Sequence, residues 1–125
     1  MRDFSRYDPY LAILEFATDI SPIEAERRAE KCFHAQSLLV RELHTAEYAE
    51  LLVGDNVEMV KSELILRTPQ DYKNAESRKA WVHTRPERKE IYEKYARSKA
   101  DLDHLRRLLK LFEGGCFYFS QKAKR

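Results

Sequence analysis

The 125-residue sequence predicts an all-α protein, a long coiled-coil-like helical hairpin with a short N-terminal helix. A first apolar stripe advances in steps of four and three residues, and only Gln36 and Glu50 interrupt it. Its members are Ala25, Ala29, Cys32, Gln36, Leu39, Leu43, Ala46, Glu50, Val53, Val57, Val60 and Leu64. A second stripe comprises Ile91, Tyr95, Ser98, Leu102, Leu105, Leu109 and Phe112. The sequence has only three glycines and four prolines, and no segment alternates apolar and polar residues as a β-strand does. Both features favour an all-α protein.

The first two helices have clear start signals. Asp8 and Pro9 predict a short helix over 8–18, whose apolar residues, Phe16 and Ala17 among them, cover the longer helices. Ser21, Pro22 and Glu24 form a capping box, which predicts a long helix over 22–66. Gly54 is the one candidate break. Because the stripe keeps its register across Gly54, we predict a continuous or merely kinked helix.

The second arm is predicted as helices over 69–83 and 85–113. Thr68 and Pro69 start the first, and Thr84 with Glu87 forms a capping box where Pro86 imposes a kink or short break. Residues 114 and 115 are both glycine, and glycine commonly ends a helix. The segment 114–125 is therefore predicted as a tail. Within it, 116–120 returns as an extended segment and 121–125 is mobile. Together, 1–125 forms a single helical domain.

Charge is abundant and unevenly distributed. Charged residues make up 35% of the chain, against about 25% in an average globular protein. Residues 1–68 hold 8 basic and 13 acidic side chains, whereas 69–125 hold 15 and 8. No signal peptide or membrane span of about 18 apolar residues is apparent. With only two cysteines, Cys32 and Cys116, these features predict a cytoplasmic protein that does not bind membranes.

No pattern of catalytic or metal-ligating residues emerges. His34 follows Glu30 by four residues and His104 lies beside Asp103, but neither spacing matches a known ligand set. Cys32 lies on the apolar stripe, where it packs like alanine. There is no glycine-rich phosphate loop and no nucleophilic serine elbow. We therefore expect no enzyme activity, no metal and no cofactor.

A basic segment with the single tryptophan is the best candidate for contact with a ligand. Cationic side chains neutralise phosphates, and an aromatic ring can stack on an unpaired base. The predicted nucleic-acid-binding residues are Lys79, Trp81, Arg85, Arg88, Lys89, Arg106 and Arg107, with Lys110 and the tail residues Lys122, Lys124 and Arg125 extending the surface. The alternative is that Trp81 fills the helix joint and the charges form a solvated face with Glu87, Glu90 and Glu93.

Apolar residues beside the first stripe predict self-association. Leu52, Met59 and Leu66 widen the apolar surface of the long helix beyond what one facing helix covers. An apolar patch of that size is larger than soluble monomers usually expose. We therefore expect a homodimer of hairpins, or another protein interface, at these residues.

The second half also resembles a loose class of small phage and prophage proteins. The likeness runs over 68–79, especially Asn74, Glu76 and Arg78, and continues with Tyr92, Tyr95 and the leucine pattern from Leu102. In that class a long helix precedes a second helix that begins with asparagine, glutamate and arginine. Genes of the class often lie among recombination or single-strand-binding functions. The resemblance implies an accessory role in DNA metabolism or host takeover.

Two functions follow from these observations. The first is a non-enzymatic phage-type accessory protein that binds nucleic acid through its basic second half. The alternative is a protein-binding inhibitor or adaptor of a host nucleic-acid machine, for example of the anti-CRISPR type. Its acidic residues would occupy a basic groove. The candidates are Glu42, Glu47, Glu50, Asp55 and Glu58.

Overall fold

A computed structural model describes residues 2–15 and 19–124, and within them the backbone is helical with no β-strand. The α-helices are α1 (Asp8–Leu11), α2 (Pro22–Arg67), α3 (Ala75–His83) and α4 (Pro86–Ala123). Two short 3₁₀ turns, Ser5–Tyr7 and Ala12–Leu14, flank α1. Helices α2 and α4 pair, which confirms the all-α helical hairpin. Among the described helices, none is both long and apolar enough to cross a bilayer.

Helix α2 forms as the sequence predicts. The Glu24 backbone N–H donates to the Ser21 hydroxyl at 3.1 Å, which confirms Ser21 as the cap. The helix is continuous through Gly54 to Arg67. At its end, the Thr68 hydroxyl donates to the Leu64 carbonyl at 3.0 Å.

The predicted stripes form the buried faces of α2 and α4. The α2 residues that become buried are Ala25, Ala29, Cys32, Ala35, Leu39, Ala46, Val57 and Leu64. Those of α4 are Leu102, Leu105, Leu108, Phe112, Cys116 and Phe119. Most lie on the predicted stripes; Ala35, Leu108, Cys116 and Phe119 do not. Between 25 and 46 the buried α2 side chains are small apart from Leu39, whereas those of α4 are mainly leucine and phenylalanine.

Contacts divide the chain into two compact units. The terminal unit comprises Met1–Thr45 and Asp101–Arg125, and the elbow unit comprises Ala46–Ala100. In the terminal unit, Tyr7 is fully buried and its hydroxyl donates to the Glu42 carboxylate. Arg2 and Arg6 approach the same carboxylate at 3.4 and 3.6 Å. These contacts anchor the N-terminal segment to α2.

The predicted helix over 8–18 is only partly correct. Helical backbone begins earlier, at Ser5, whose N–H donates to the Asp3 carboxylate at 2.9 Å. Asp8 is therefore the first residue of α1 and not its cap. The helical path ends at Leu14, since Glu15 adopts an extended ψ of 134°. Phe16, Ala17 and Thr18 lie outside the described residues.

The prediction that the last helix ends at Glu113 is wrong. Helix α4 runs through both glycines to Ala123, so 116–120 is not extended and 121–123 is not a loose tail. Helical spacing from Phe112 places Cys116 and Phe119 on the buried face, and that burial outweighs the propensity of glycine to end a helix. Neither glycine has a positive φ. Arg125 lies outside the described residues.

In the elbow unit, α3 begins at Ala75 and not at 69. The Asn74 side chain accepts the Ser77 N–H at 2.7 Å, so asparagine is the functional cap, while Tyr72 N–H closes a turn onto the Pro69 carbonyl at 3.1 Å. The break before Pro86 is confirmed. However, the Thr84 hydroxyl donates backward to the Trp81 carbonyl at 2.8 Å, so Thr84 closes α3 instead of capping α4. Glu87 pairs with Arg67 at 3.8 Å.

Candidate nucleic-acid interface

Trp81 is engaged inside the elbow unit. The Arg85 guanidinium lies over the indole at 4.5 Å, and its Nε donates to the Trp81 carbonyl at 3.2 Å. The Tyr72 ring also lies near the indole, with ring centroids 6.5 Å apart. The face of Trp81 under Arg85 is therefore not open to a nucleobase. This geometry favours the alternative interpretation of Trp81, a residue that fills the helix joint.

A cleft opens in the same unit between the end of α2, α3 and the first turns of α4. Its volume is about 440 Å³, within the range of about 300–1,000 Å³ common for ligand pockets. Its apolar lining residues are Ile65, Ala75, Val82 and Tyr92. Its basic lining residues are Lys61, Arg78, Lys79, His83 and Arg88. No carboxylate is among the lining residues, so the wall of the cleft carries positive charge over an apolar floor.

Local contacts hold two of the cleft arginines in place. The Arg78 Nε donates to the Tyr72 carbonyl at 2.8 Å, which ties the start of α3 to the preceding turn. The Arg88 guanidinium lies 4.2 Å from the centre of the Tyr92 ring, one helical turn further along α4. Arg88 and Tyr92 also line a neighbouring cavity of about 690 Å³, together with Arg85 and Lys89. The Arg88–Tyr92 pair is thus a shared wall between two concave surfaces.

The acidic residues of α4 do not neutralise the cleft. Glu90 lies 3.7 Å from Lys94, and Glu93 lies 3.9 Å from Arg97. Over residues 2–15 and 19–124, no carboxylate comes within 4.0 Å of the charged nitrogens of Lys79, Arg88 or Lys89. Lys61 has one such neighbour, Glu58 at 4.0 Å, but that pair is exposed and weak. Most of the cationic side chains around the cleft are therefore available to an anion.

The predicted site residues fall into different parts of the chain. Lys79, Trp81, Arg85, Arg88 and Lys89 belong to the elbow unit, but only Lys79 and Arg88 line the cleft. Arg106 and Arg107 belong to the terminal unit, where both are exposed and Arg106 lies 3.9 Å from Asp103.

Three residues of the cleft, Lys61, Ile65 and Tyr92, were not predicted to belong to one site. Lys61 and Ile65 are four residues apart, which places them on one face of α2 close to the reversal. That spacing was a usable signal, but only the packing of α3 against α2 shows which face borders the cleft.

The two histidines predicted not to be ligands pack against aromatic rings. The Phe4 and His104 ring centroids are 4.2 Å apart, and those of Tyr10 and His34 are 5.7 Å apart. In the described part of the chain, no three His, Cys, Asp or Glu side chains form a group that could hold a metal ion.

Glu42 has a structural position that the acidic alternative did not anticipate. Its side chain is only 10% exposed and receives the Tyr7 hydroxyl together with Arg2 and Arg6. It is therefore unavailable to a basic groove of another protein. By contrast, Asp55 and Glu58 are exposed on α2.

The apolar residues predicted to lie beside the first stripe lie opposite it. Met59 and Leu66 follow buried Val57 and Leu64 by two residues, a rotation of about 200° around the helix. Leu52, Met59 and Leu66 are 48%, 60% and 85% exposed, and they recur every seven residues along one line. The outer face of α2 therefore presents an apolar stripe of its own within the elbow unit.

Comparison of the chain with protein-family models, with curated proteins and with solved structures returned no match. The candidate interface therefore rests on its own geometry.

Proposed function

We propose that this protein is a non-enzymatic accessory factor that binds nucleic acid through the basic surface of the elbow unit. The observation that carries the proposal is the cleft with five basic lining residues and no carboxylate among them. The resemblance to small phage proteins supports a role in phage-type DNA metabolism in the host cytoplasm.

The physical argument concerns charge and its neutralisation. A cationic side chain that contacts a phosphate releases condensed counterions, which makes binding favourable and sensitive to salt. Lys79, Arg88 and Lys89 have no carboxylate partner in the described chain, so little internal ion pairing is lost when a phosphate approaches. Arg106 and Arg107 provide a second exposed basic group in the terminal unit.

The test is fluorescence anisotropy with a labelled single-stranded oligonucleotide at several salt concentrations. The double variant Lys79→Glu with Lys89→Glu should bind at least tenfold more weakly than the wild type. The slope of log affinity against log salt should fall by about 1.4, since each single-strand phosphate contact contributes about 0.7. Both lysines are exposed, so the fold should be retained.

A matched control changes the same amount of charge elsewhere. Lys31→Glu with Arg41→Glu alters two exposed positions of α2 in the terminal unit and should leave binding within about threefold of the wild type. Equal losses from both variants would mean that net charge alone drives binding. Absence of binding by the wild-type protein at low salt would reject the function.

A second candidate is the inhibitor or adaptor of a host nucleic-acid machine. The observation in its favour is the outer face of α2, where exposed Asp55 and Glu58 lie close in sequence to Leu52 and Met59. A mixed acidic and apolar surface suits a protein partner that has a basic groove. Affinity capture from host lysate, with Asp55→Lys and Glu58→Lys together as the negative control, separates this function from the first.

The same outer face supports a homodimer of hairpins. Leu52, Met59 and Leu66 expose apolar side chains every seven residues on one face of α2, and a second copy of the chain offers an identical surface. Self-association and capture of a host protein therefore compete for one face of α2, whereas nucleic-acid binding uses the cleft.

A further inference from the structure

The cleft combines two chemistries in one concave surface. Its floor is formed by Ile65, Val82 and Tyr92, of which Val82 is 7% exposed and Ile65 is 53% exposed. Its rim carries cationic side chains from α2, α3 and α4. A ligand that matches both is apolar at one end and anionic at the other.

We propose that the cleft takes an unpaired nucleobase of a single-stranded nucleic acid, with the flanking phosphates on the basic rim. This inference rests on the proposed function and specifies its ligand. A base within a duplex hides both faces by stacking, whereas an unpaired base can leave the strand and enter an apolar cavity.

Arg88 and Tyr92 provide the feature that favours a base over other anions. The guanidinium covers one face of the Tyr92 ring, 4.2 Å from its centre, as Arg85 covers Trp81, and the pair lines the cleft. A base therefore stacks on the plane of the guanidinium or on the opposite face of the ring. Aromatic rings and guanidinium groups are the surfaces on which proteins stack unpaired bases. Lys79 and Lys61 on the rim then supply point charges for the phosphates on either side.

The experiment compares four probes at equal salt: a single-stranded oligonucleotide, its duplex, a strand of the same length with abasic residues, and the free mononucleotide. The wild type should bind the single strand about tenfold or more tightly than the abasic strand, because only the abasic strand lacks the stacking surface. The duplex should resemble the abasic strand, and the mononucleotide should bind far more weakly because it has few phosphates.

Two variants test the cleft itself. Ala75→Phe places a large ring at an exposed lining position and should remove the preference for bases while leaving affinity for the abasic strand within about threefold. Ala80→Phe is the matched control, since Ala80 is also exposed on α3 but does not line the cleft, and it should behave as the wild type. Tyr92→Leu removes the aromatic surface but keeps an apolar side chain, and it should also remove the preference for bases. Helical circular dichroism establishes that each variant is folded.

The outcomes separate this inference from the proposed function. Equal, salt-sensitive affinity for the single strand, duplex and abasic strand would overturn base insertion and leave nucleic-acid binding intact. Binding of the mononucleotide as tightly as the oligonucleotide would show a small-molecule site and would also overturn the inference. Displacement of the oligonucleotide by polyglutamate at equal charge concentration would assign the cleft to acidic peptides. Failure to bind any polynucleotide would reject both proposals.

Discussion

Tyr7 and Glu42, 35 residues apart in the chain, meet through a hydrogen bond from the phenolic hydroxyl to the carboxylate. Tyr7 has no exposed surface, and the carboxylate also faces Arg2 and Arg6. A buried tyrosine needs a partner for its hydroxyl, and a largely buried carboxylate needs donors and compensating charge. The contact satisfies both requirements and joins the N-terminal segment to α2.

Removal of the Tyr7 hydroxyl should destabilise the protein. Tyr7→Phe keeps the ring but deprives Glu42 of one donor, and a hydrogen bond to a charged group is worth about 2 kcal/mol. Urea unfolding at pH 8 should show that loss as a lower midpoint with an unchanged slope. Tyr10→Phe, at a half-buried tyrosine of the same segment, is the control and should change stability by less than about 0.5 kcal/mol. Equal effects of the two substitutions would contradict the assigned role.

The stabilising effect of Tyr7 should disappear at alkaline pH. Burial, together with the hydrogen bond to Glu42, raises the pKa of Tyr7 to about 12 from its ordinary value of 10.0. Since the unfolded chain loses this proton first, the contribution is complete below pH 10 and is lost as the pH rises to about 12. The measurement is the difference in unfolding free energy between wild type and Tyr7→Phe across this window. A constant difference would contradict the pKa assignment.

Replacing each of the two adjacent glycines of α4 with alanine should change the stability of the protein in opposite directions. A Cβ at Gly115 would overlap the Leu14 side chain and lie 3.2 Å from the Cys32 sulfur, so Gly115→Ala should cost about 1–3 kcal/mol. A Cβ at Gly114 meets no atom within 4 Å, so Gly114→Ala should stabilise the helix by about 1 kcal/mol. Thermal unfolding of the two variants measures the difference. A gain in stability from Gly115→Ala would show that the close approach to Leu14 is not required.

Both cysteine thiols should be unreactive in the native protein. Burial, and secondarily the proximity of Cys116, raises the pKa of Cys32 to about 11, while burial also raises the pKa of Cys116. At pH 8 this reduces the thiolate fraction of Cys32 by about a hundredfold relative to a thiol with the ordinary pKa of 9.0. Alkylation with iodoacetamide, followed by mass spectrometry of native and urea-unfolded protein, gives the two rates. Similar rates for Cys32 in both states would contradict its burial.

The outer apolar line of α2 should control oligomeric state. Leu52→Glu with Met59→Glu alters two exposed positions, so the variant should stay folded but become monomeric. The wild type should sediment as a dimer at high micromolar concentration. Phe117→Glu is the control, because Phe117 is 69% exposed on α4 within the terminal unit. A wild-type monomer under these conditions would reject the homodimer.

Local signals predicted the helices that carry their own start and register. Ser21 and Glu24 act within a single turn, and the apolar steps across Gly54 require only a regular helix, so both could be inferred from the sequence. The local start signal at Thr68 was misleading, because Asn74, six residues later, is the residue that caps α3. The local stop signal at Gly114 was also misleading, because glycine ends a helix only when burial does not favour its continuation.

The sequence by itself determined the all-α class, the two paired arms and most of the buried residues, because helix period and capping are properties of neighbouring residues. Tertiary structure alone decided that Glu42 faces Tyr7, and that Lys61 and Ile65 share a cleft with Tyr92. Each of these facts depends on how one helix is rotated and placed against another. That placement is set by the fit of side chains distant in sequence, which no local pattern records.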